Sequence, residues 1–395
     1  MVARNFSLWN WLDAPYNRAS FQRVRELVPT ALIRNSTGRV HRLASDPRPL
    51  DTLQYTGPDG GRRVWGQHLV DTYCDAVCVV HGGRIVYEQY LNGMTAETPH
   101  LLMSVSKSFC GAALGVSVGR GLVDPSVLVT DVAPEFAGTS LDGATVQQVI
   151  DMTAGTDFVE DYDLYDDALG EAPLIEYERQ AGYRPLDGRA PVGVLGHFRT
   201  YGTAYPHGAR FDYRSPLTNV AARIVEIVND LPYPDVVSRD LWGPLGQEHD
   251  ADIMLDHCGQ AVVEGGMSCT TRDLARLGLA YLGDGSSVAG ETVVPTAWVD
   301  DTRLGTDAAV AAFAAGDSGG GATDWSMYRN AFWVFERGEV FSGLGIFGQY
   351  CYVNRRTGTV IARFSTFPTA MPVDHDAETL AGFAAVVAHL AAGDS

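Results

Sequence analysis

Leu101-Leu102-Met103-Ser104-Val105-Ser106-Lys107-Ser108-Phe109-Cys110-Gly111 is the stretch that decides how this 395-residue chain is read. Lys107 is its only lysine; the other 28 of its 29 lysine and arginine residues are arginines. An arginine keeps its proton, whereas a desolvated lysine can release it and serve as a base. Genomic base composition accounts for the arginine excess but not for the one lysine that remains. Leu102, Met103, Phe109, Ala112, Ala113 and Val116 recur near helical spacing, and the run stops at Gly119-Arg120-Gly121. The segment therefore reads as a buried helix of about five turns. Residues three apart share a helix face, so Ser104 and Lys107 are neighbours, with Ser108 on the same side. A serine hydroxyl with a neutral amine in hydrogen-bond reach is a nucleophile with its base.

Upstream, AVCVVH (76–81), Gly82-Gly83 and RIVYEQY (84–90) read as a hairpin with a two-glycine turn. Downstream, 122–265 is loop-rich and helical and includes an acidic aromatic run, Glu160 to Asp167. Helix patterns return at Pro216 to Val228 and Thr271 to Leu282. Strands follow at 331–336, 349–354 and 359–364, and then a last amphipathic helix carrying Leu380, Phe383, Val387 and Leu390. Strands at both ends and helices between predict an α/β (α+β) chain. Residues 1–100 and 268–395 would build an antiparallel sheet flanked by helices, and an inserted helical lobe, 101–267, would carry the nucleophile. Ser318 to Gly321 reads as a short loop.

A second proton carrier is expected at Tyr213, in Phe211-Asp212-Tyr213-Arg214-Ser215-Pro216. Ser215 reads as an N-cap and Pro216 as the first helical residue. The positive end of that helix, with Lys107 nearby, would lower the phenol's pKa. With 17 tyrosines in the chain, an ordinary packing role competes with this one.

Together these blocks resemble the serine hydrolases of the β-lactamase and penicillin-binding-protein fold. They are most similar to the 6-aminohexanoate-dimer (nylon-oligomer) hydrolase branch, which overlaps the class C β-lactamase-like esterases. The resemblance runs from about Leu101 to the C-terminus. It rests on LLMSVSKSFCG, Glu160-Asp161-Tyr162, Phe211 to Ser215, Gly265 to Arg276 (GGMSCTTRDLAR) and Ser342 to Gln349 (SGLGIFGQ). It implies Ser104 as the acylated nucleophile, Lys107 as its base, Tyr213 as the proton shuttle, and the backbone N–H groups of Ser104 and Ile346 as the oxyanion hole. It also implies that Tyr162, Ser215 and Trp333 line the substrate pocket, and that Glu178 and Glu264 lie near a substrate ammonium; for any one glutamate, a solvated surface position competes. The chain departs from typical β-lactamases in one motif: Lys-Thr-Gly and its histidine variants are absent, and Leu344-Gly345-Ile346 stands in that place. This favours amide or ester hydrolysis over cell-wall chemistry.

A formal net charge of −19 argues against nucleic acid and anionic membranes as partners. The expected partner is a small-molecule amide or ester, with a homodimer left open. Met1 to Phe21 mixes charged and amide residues into its apolar ones, unlike a signal peptide, so a cytoplasmic protein is expected. The six cysteines form no C-x-x-C pair and read as reduced thiols. There is no His-Glu-x-x-His, and Glu248 to His257 reads as a solvated loop, so neither metal nor cofactor is expected.

Three readings compete with hydrolysis at Ser104. Gly115-Val116-Ser117-Val118-Gly119 fits a nucleophile elbow, with His81-Gly82-Gly83 as an oxyanion loop, but Ser117 falls late in a helix rather than at a strand-to-helix turn. A catalytically idle binding relative would have no chemical need for Ser104, Lys107 and Tyr213 together. A carboxylesterase or acyltransferase would use the same acyl-enzyme.

Overall fold

The computed structural model describes residues 5–162, 172–316 and 325–393. Its centre is an eight-stranded sheet. In spatial order the strands are Met327–Arg329, Phe332–Glu336, Val340–Gly345, Gln349–Asn354, Thr359–Ser365, Cys74–His81, Arg84–Tyr90 and Ala44–Ser45. All neighbours are antiparallel except the last pair. The N- and C-terminal parts of the chain meet where Cys78 faces Ala362. The apolar run AVCVV is explained here: Ala76, Cys78 and Val80 pack in the large core, whereas Val77 and Val79 pack in another under the closing helix Val373–Gly393. A strand covered on both faces has no reason to alternate.

The expected hairpin is present, with Gly82 and Gly83 at φ +55° and +77°. A second, four-stranded sheet was not legible in the sequence. It joins Thr30–Ile33, Ala251–Met254, Met267–Cys269 and His100–Leu101. Ala251–Met254 lies within the stretch expected to be a solvated loop, and all four of its residues are buried. Short strands drawn from such distant segments pair by tertiary contact, which no local pattern announces. Asp163 to Asp167 and Ser318 to Gly321 lie outside the described residues.

The nucleophile segment is one 3₁₀ turn, Met103–Val105, running into the helix Ser106–Gly119. This helix is buried on every side from Ser106 to Ser117, as suits a helix through the middle of a core. Gly111, Gly115 and Gly119 let its neighbours approach. A Cβ at Gly111 would stand 2.2 Å from the Asn330 carbonyl oxygen, and one at Gly115 would stand 2.3 Å from the Trp298 ring. The elbow-like Gly-x-Ser-x-Gly is thus a packing feature. Ser117 is buried, donates to the Ala113 carbonyl at 3.1 Å and accepts from Asn229 Nδ2 at 3.0 Å. His81 is tied to Thr359 Oγ1 at 2.8 Å in the hairpin. Gly115→Ala is expected to destabilise the fold by about 1–3 kcal/mol through overpacking against Trp298, read as a lower urea midpoint at unchanged slope.

Candidate active site

Ser104 lines two spaces. Met103, which precedes it, has φ +46°, and Phe347, which follows Ile346, has φ +62°. A non-glycine residue in the left-handed region is held there by its surroundings. Met103 is buried, and strand Val340–Gly345 presses on the turn from outside: a Cβ on Gly345 would lie 2.6 Å from the Leu102 carbonyl oxygen. This close approach brings Ser104 and Ile346 to the same cleft, where both line the two spaces.

Lys107 Nζ donates to Ser104 Oγ at 2.8 Å and to the Glu264 carbonyl oxygen at 2.5 Å, and it lies 5.1 Å from the centre of the Tyr213 ring. The side chain is 1% exposed. Burial lowers its pKa from 10.5 to about 8, opposed by the charges of Glu160 and Glu264. Desolvation penalises an ammonium more than an amine, so a usable fraction of Lys107 is neutral near neutral pH.

Tyr213 departs from expectation. Its pKa is raised rather than lowered, first by burial and then by Glu160, with a hydrogen bond from Ser104 pulling the other way. The positive helix end that was expected to favour a phenolate is spent on Glu160 instead. Ser215 N donates to Glu160 Oε2 at 2.5 Å and Ser215 Oγ to Glu160 Oε1 at 2.7 Å, and the Tyr162 hydroxyl donates to the same carboxylate. Ser215 therefore does not cap helix Pro216–Asn229 with its side chain, and its own backbone is already helical at φ −49°. Glu160 was not singled out as a site residue, because nothing local shows that it returns to a helix start 55 residues away.

The remaining acids differ in kind. Glu178, on helix Pro173–Ala181, is buried and accepts from Arg184 Nε at 2.6 Å. Its charge is thus met inside the protein by Arg184, while the residue lines the same recess as Ser104 and Lys107. Glu264 is 4% exposed, and burial raises its pKa to about 7, with Lys107 the main opposing influence. Its carboxylate oxygens make no geometric hydrogen bond among the described residues, although Asn219 stands near enough to favour the ionised form.

The two spaces share Ser104, Glu160, Tyr162 and Ile346 and differ beyond them. One is an open cleft of about 840 Å³ lined by Tyr162, Tyr213, Trp325, Trp333, Leu344, Tyr350, Met371 and Leu380 among others. Trp333 stacks on Tyr213 at 5.4 Å between ring centres. The other is a smaller recess lined by Lys107, Glu160, Tyr177, Glu178, Tyr183, Ser215 and Glu264. Trp325, Tyr350, Met371 and Asp376 were not singled out in the sequence as cleft residues. Among the described residues no group of His, Cys, Asp and Glu could hold a metal ion, and no helix is long and apolar enough to cross a membrane. Cys258 is exposed, and the other five cysteines are buried free thiols.

The beta-lactamase family model matches residues 67–385. A 6-aminohexanoate-dimer hydrolase from Paenarthrobacter ureafaciens is 37% identical over 367 residues, covering 92% of this chain and 88% of that protein. A Bacillus anthracis protein assigned as a 6-aminohexanoate-dimer hydrolase shares the fold, with TM-score 0.87, 24% identity, and coverage of 98% of this chain and 97% of that one. EstCE1, described as a hydrolase with promiscuous acyltransferase activity, has TM-score 0.60 at 17% identity, over 82% of this chain and 96% of its own. The fold is thus the mixed α/β architecture that the sequence blocks resembled, and the chain belongs to the beta-lactamase family of amide and ester hydrolases.

Proposed function

We propose that this chain cleaves small linear amides or esters of the 6-aminohexanoate-oligomer type through an acyl-enzyme on Ser104. The observation that carries the reading is the buried Lys107 amine bonded to Ser104 Oγ, with Tyr213 packed against both. Neutral Lys107 takes the hydroxyl proton as Oγ bonds to the carbonyl carbon. The backbone N–H groups of Ser104 and Ile346 receive the developing oxyanion, a contribution of about 10²- to 10³-fold per donor. Tyr213 gives its proton to the leaving nitrogen or oxygen as the bond to carbon breaks, and it is restored from the Lys107 ammonium. Water then repeats the sequence on the acyl-enzyme, with Lys107 again as base.

The acidic recess suits an acyl group that ends in an ammonium. Glu178 is occupied by Arg184, so Glu264 is the carboxylate we assign to that end. The apolar cleft also supports a second reading, acyl transfer, since an alcohol or amine seated there would compete with water for the acyl-enzyme.

The test is amine release from linear 6-aminohexanoate dimer beside hydrolysis of p-nitrophenyl butyrate, with wild type and Ser104→Ala. Both activities are expected in the wild type, and both should fall by about 10⁶-fold in the variant, the scale seen when a serine nucleophile is removed. Ester turnover without amide turnover would move the function to an esterase or acyltransferase. Activity surviving in Ser104→Ala would overturn the site.

A further inference from the structure

Asp376 lines the apolar cleft, and none of the described residues that line it with Asp376 is a cation. It belongs to the first turn of the closing helix Val373–Gly393, on which the sequence offered only a packing stripe. Asp374 and Asp376 at a helix start are favourable to the helix itself, and that reading would suffice if Asp376 faced solvent alone. It does not. Asp376 shares the cleft wall with Trp325, Trp333, Leu344, Met371, Leu380 and a second carboxylate, Glu160, whose oxygens are taken by Ser215 and Tyr162, and no lysine, arginine or histidine is among the described lining residues.

A buried counter-charge role is the other ordinary explanation, with Arg363 as the partner. Arg363 is fully buried, but its donors go to Thr72, Ser365 and His68, and it makes no ion pair with Asp376 among the described residues. Among the described residues the Tyr350 hydroxyl donates to Asp376 Oδ1, and the charge of Arg363 favours the ionised carboxylate without bonding to it. Burial pushes the carboxyl up to about 6, so it is ionised under mildly alkaline conditions.

The side of the site also matters. Tyr213 lines the apolar cleft and not the acidic recess, whereas Lys107 and Glu264 line the recess. A leaving group that takes its proton from Tyr213 lies on the Tyr213 side, which is the cleft that contains Asp376. An apolar chain running along Trp333 and Leu344 would bring its far end toward a carboxylate.

On the reading of the site proposed above, we infer that Asp376 selects the leaving group: the cleft takes an apolar amine chain ending in an ammonium and disfavours one ending in a carboxylate. The preferred amides are then acylated α,ω-diamines rather than zwitterionic amino-acid dimers. With Glu264 at the opposite end, both termini of such a substrate meet a carboxylate.

A matched pair tests this at pH 8: N-(6-aminohexanoyl)-1,6-diaminohexane against linear 6-aminohexanoate dimer. Both have the same acyl group and scissile amide, and nearly the same leaving-chain length. Wild type is expected to favour the diamine amide by about tenfold or more in kcat/KM, mainly through KM, and Asp376→Asn should bring the ratio below about threefold. Glu264→Gln should leave the ratio standing, since it acts on the shared acyl end. A wild-type preference for the dimer, or a ratio unchanged in Asp376→Asn, overturns the inference.

If neither amide is cleaved, the hydrolase reading fails separately, and calorimetry with 1,6-diaminohexane and 6-aminohexanoate decides the cleft. Tighter diamine binding that depends on Asp376 supports the inference, and equal binding refutes it. Should Asp376→Asn not fold, Tyr350→Phe keeps the carboxylate and removes its donor. The diamine preference must then hold or rise, and its loss overturns the inference.

Discussion

Lys107→Arg is expected to lower kcat/KM by about 10²- to 10⁴-fold on ester and amide alike while the chain still folds. The guanidinium keeps the positive charge but cannot become neutral, so it stabilises an anion without accepting the Ser104 proton. Lys107→Met, which fits the same volume, should be as inactive. That shared loss separates a base from a mere counter-charge, because a counter-charge would be partly rescued by arginine.

The pH profile gives the same test in the wild type. Burial lowers the Lys107 pKa from 10.5 to about 8, and only the unprotonated amine is competent, so kcat/KM should rise with pH along a one-proton limb centred near 8. The nearby Glu264 charge opposes that lowering. Glu264→Gln should therefore move the limb to lower pH. A limb near 10, or one that moves upward in Glu264→Gln, would count against the neutral-lysine base. Folding stability carries the matching sign. The native state holds fewer protons on Lys107 than the unfolded chain between about 8 and 10.5, so this group's unfavourable contribution is full below about 8 and fades as pH rises through that window. Since Lys107 is the only lysine, isotopic dimethylation would report its titration by NMR with the N-terminus as the sole companion signal.

Tyr213→Phe should separate amides from activated esters. The ring stacks on Trp333 and lies under Lys107 Nζ, and phenylalanine preserves both contacts while deleting the hydroxyl. Burial and Glu160 keep the Tyr213 phenol protonated, which makes it a donor in waiting. An amide nitrogen cannot leave as an anion, so its cleavage needs that proton. A p-nitrophenolate leaves without one. The expected loss is about 10²- to 10⁴-fold in kcat on 6-aminohexanoate dimer and an order of magnitude or more less on p-nitrophenyl butyrate acylation. Equal losses on both substrates would assign Tyr213 to positioning Ser104 rather than to proton delivery.

The legible and illegible parts of this protein divide by distance along the chain. Ser104 and Lys107 were readable because their contact is fixed by helix pitch, three residues apart, and needs no partner from elsewhere. The hairpin at 76–90, the helices at 216–228 and 271–282 and the strands at 331–336, 349–354 and 359–364 were readable for the same reason, since periodicity and turn residues are local, whereas Met327–Arg329 and Val340–Gly345 were not read as strands. The blocks from Glu160 to Gln349 also carried the family, as several spaced motifs in order do.

What the tertiary structure alone decided was the electrostatics of the site. Glu160 claims the helix start meant for the Tyr213 phenolate, Arg184 neutralises Glu178, and Asp376 reaches the cleft from the far end of the chain. A side chain's type is written in the sequence. Its charge state depends on which distant groups strip it of water or stand beside it, and those are chosen by packing.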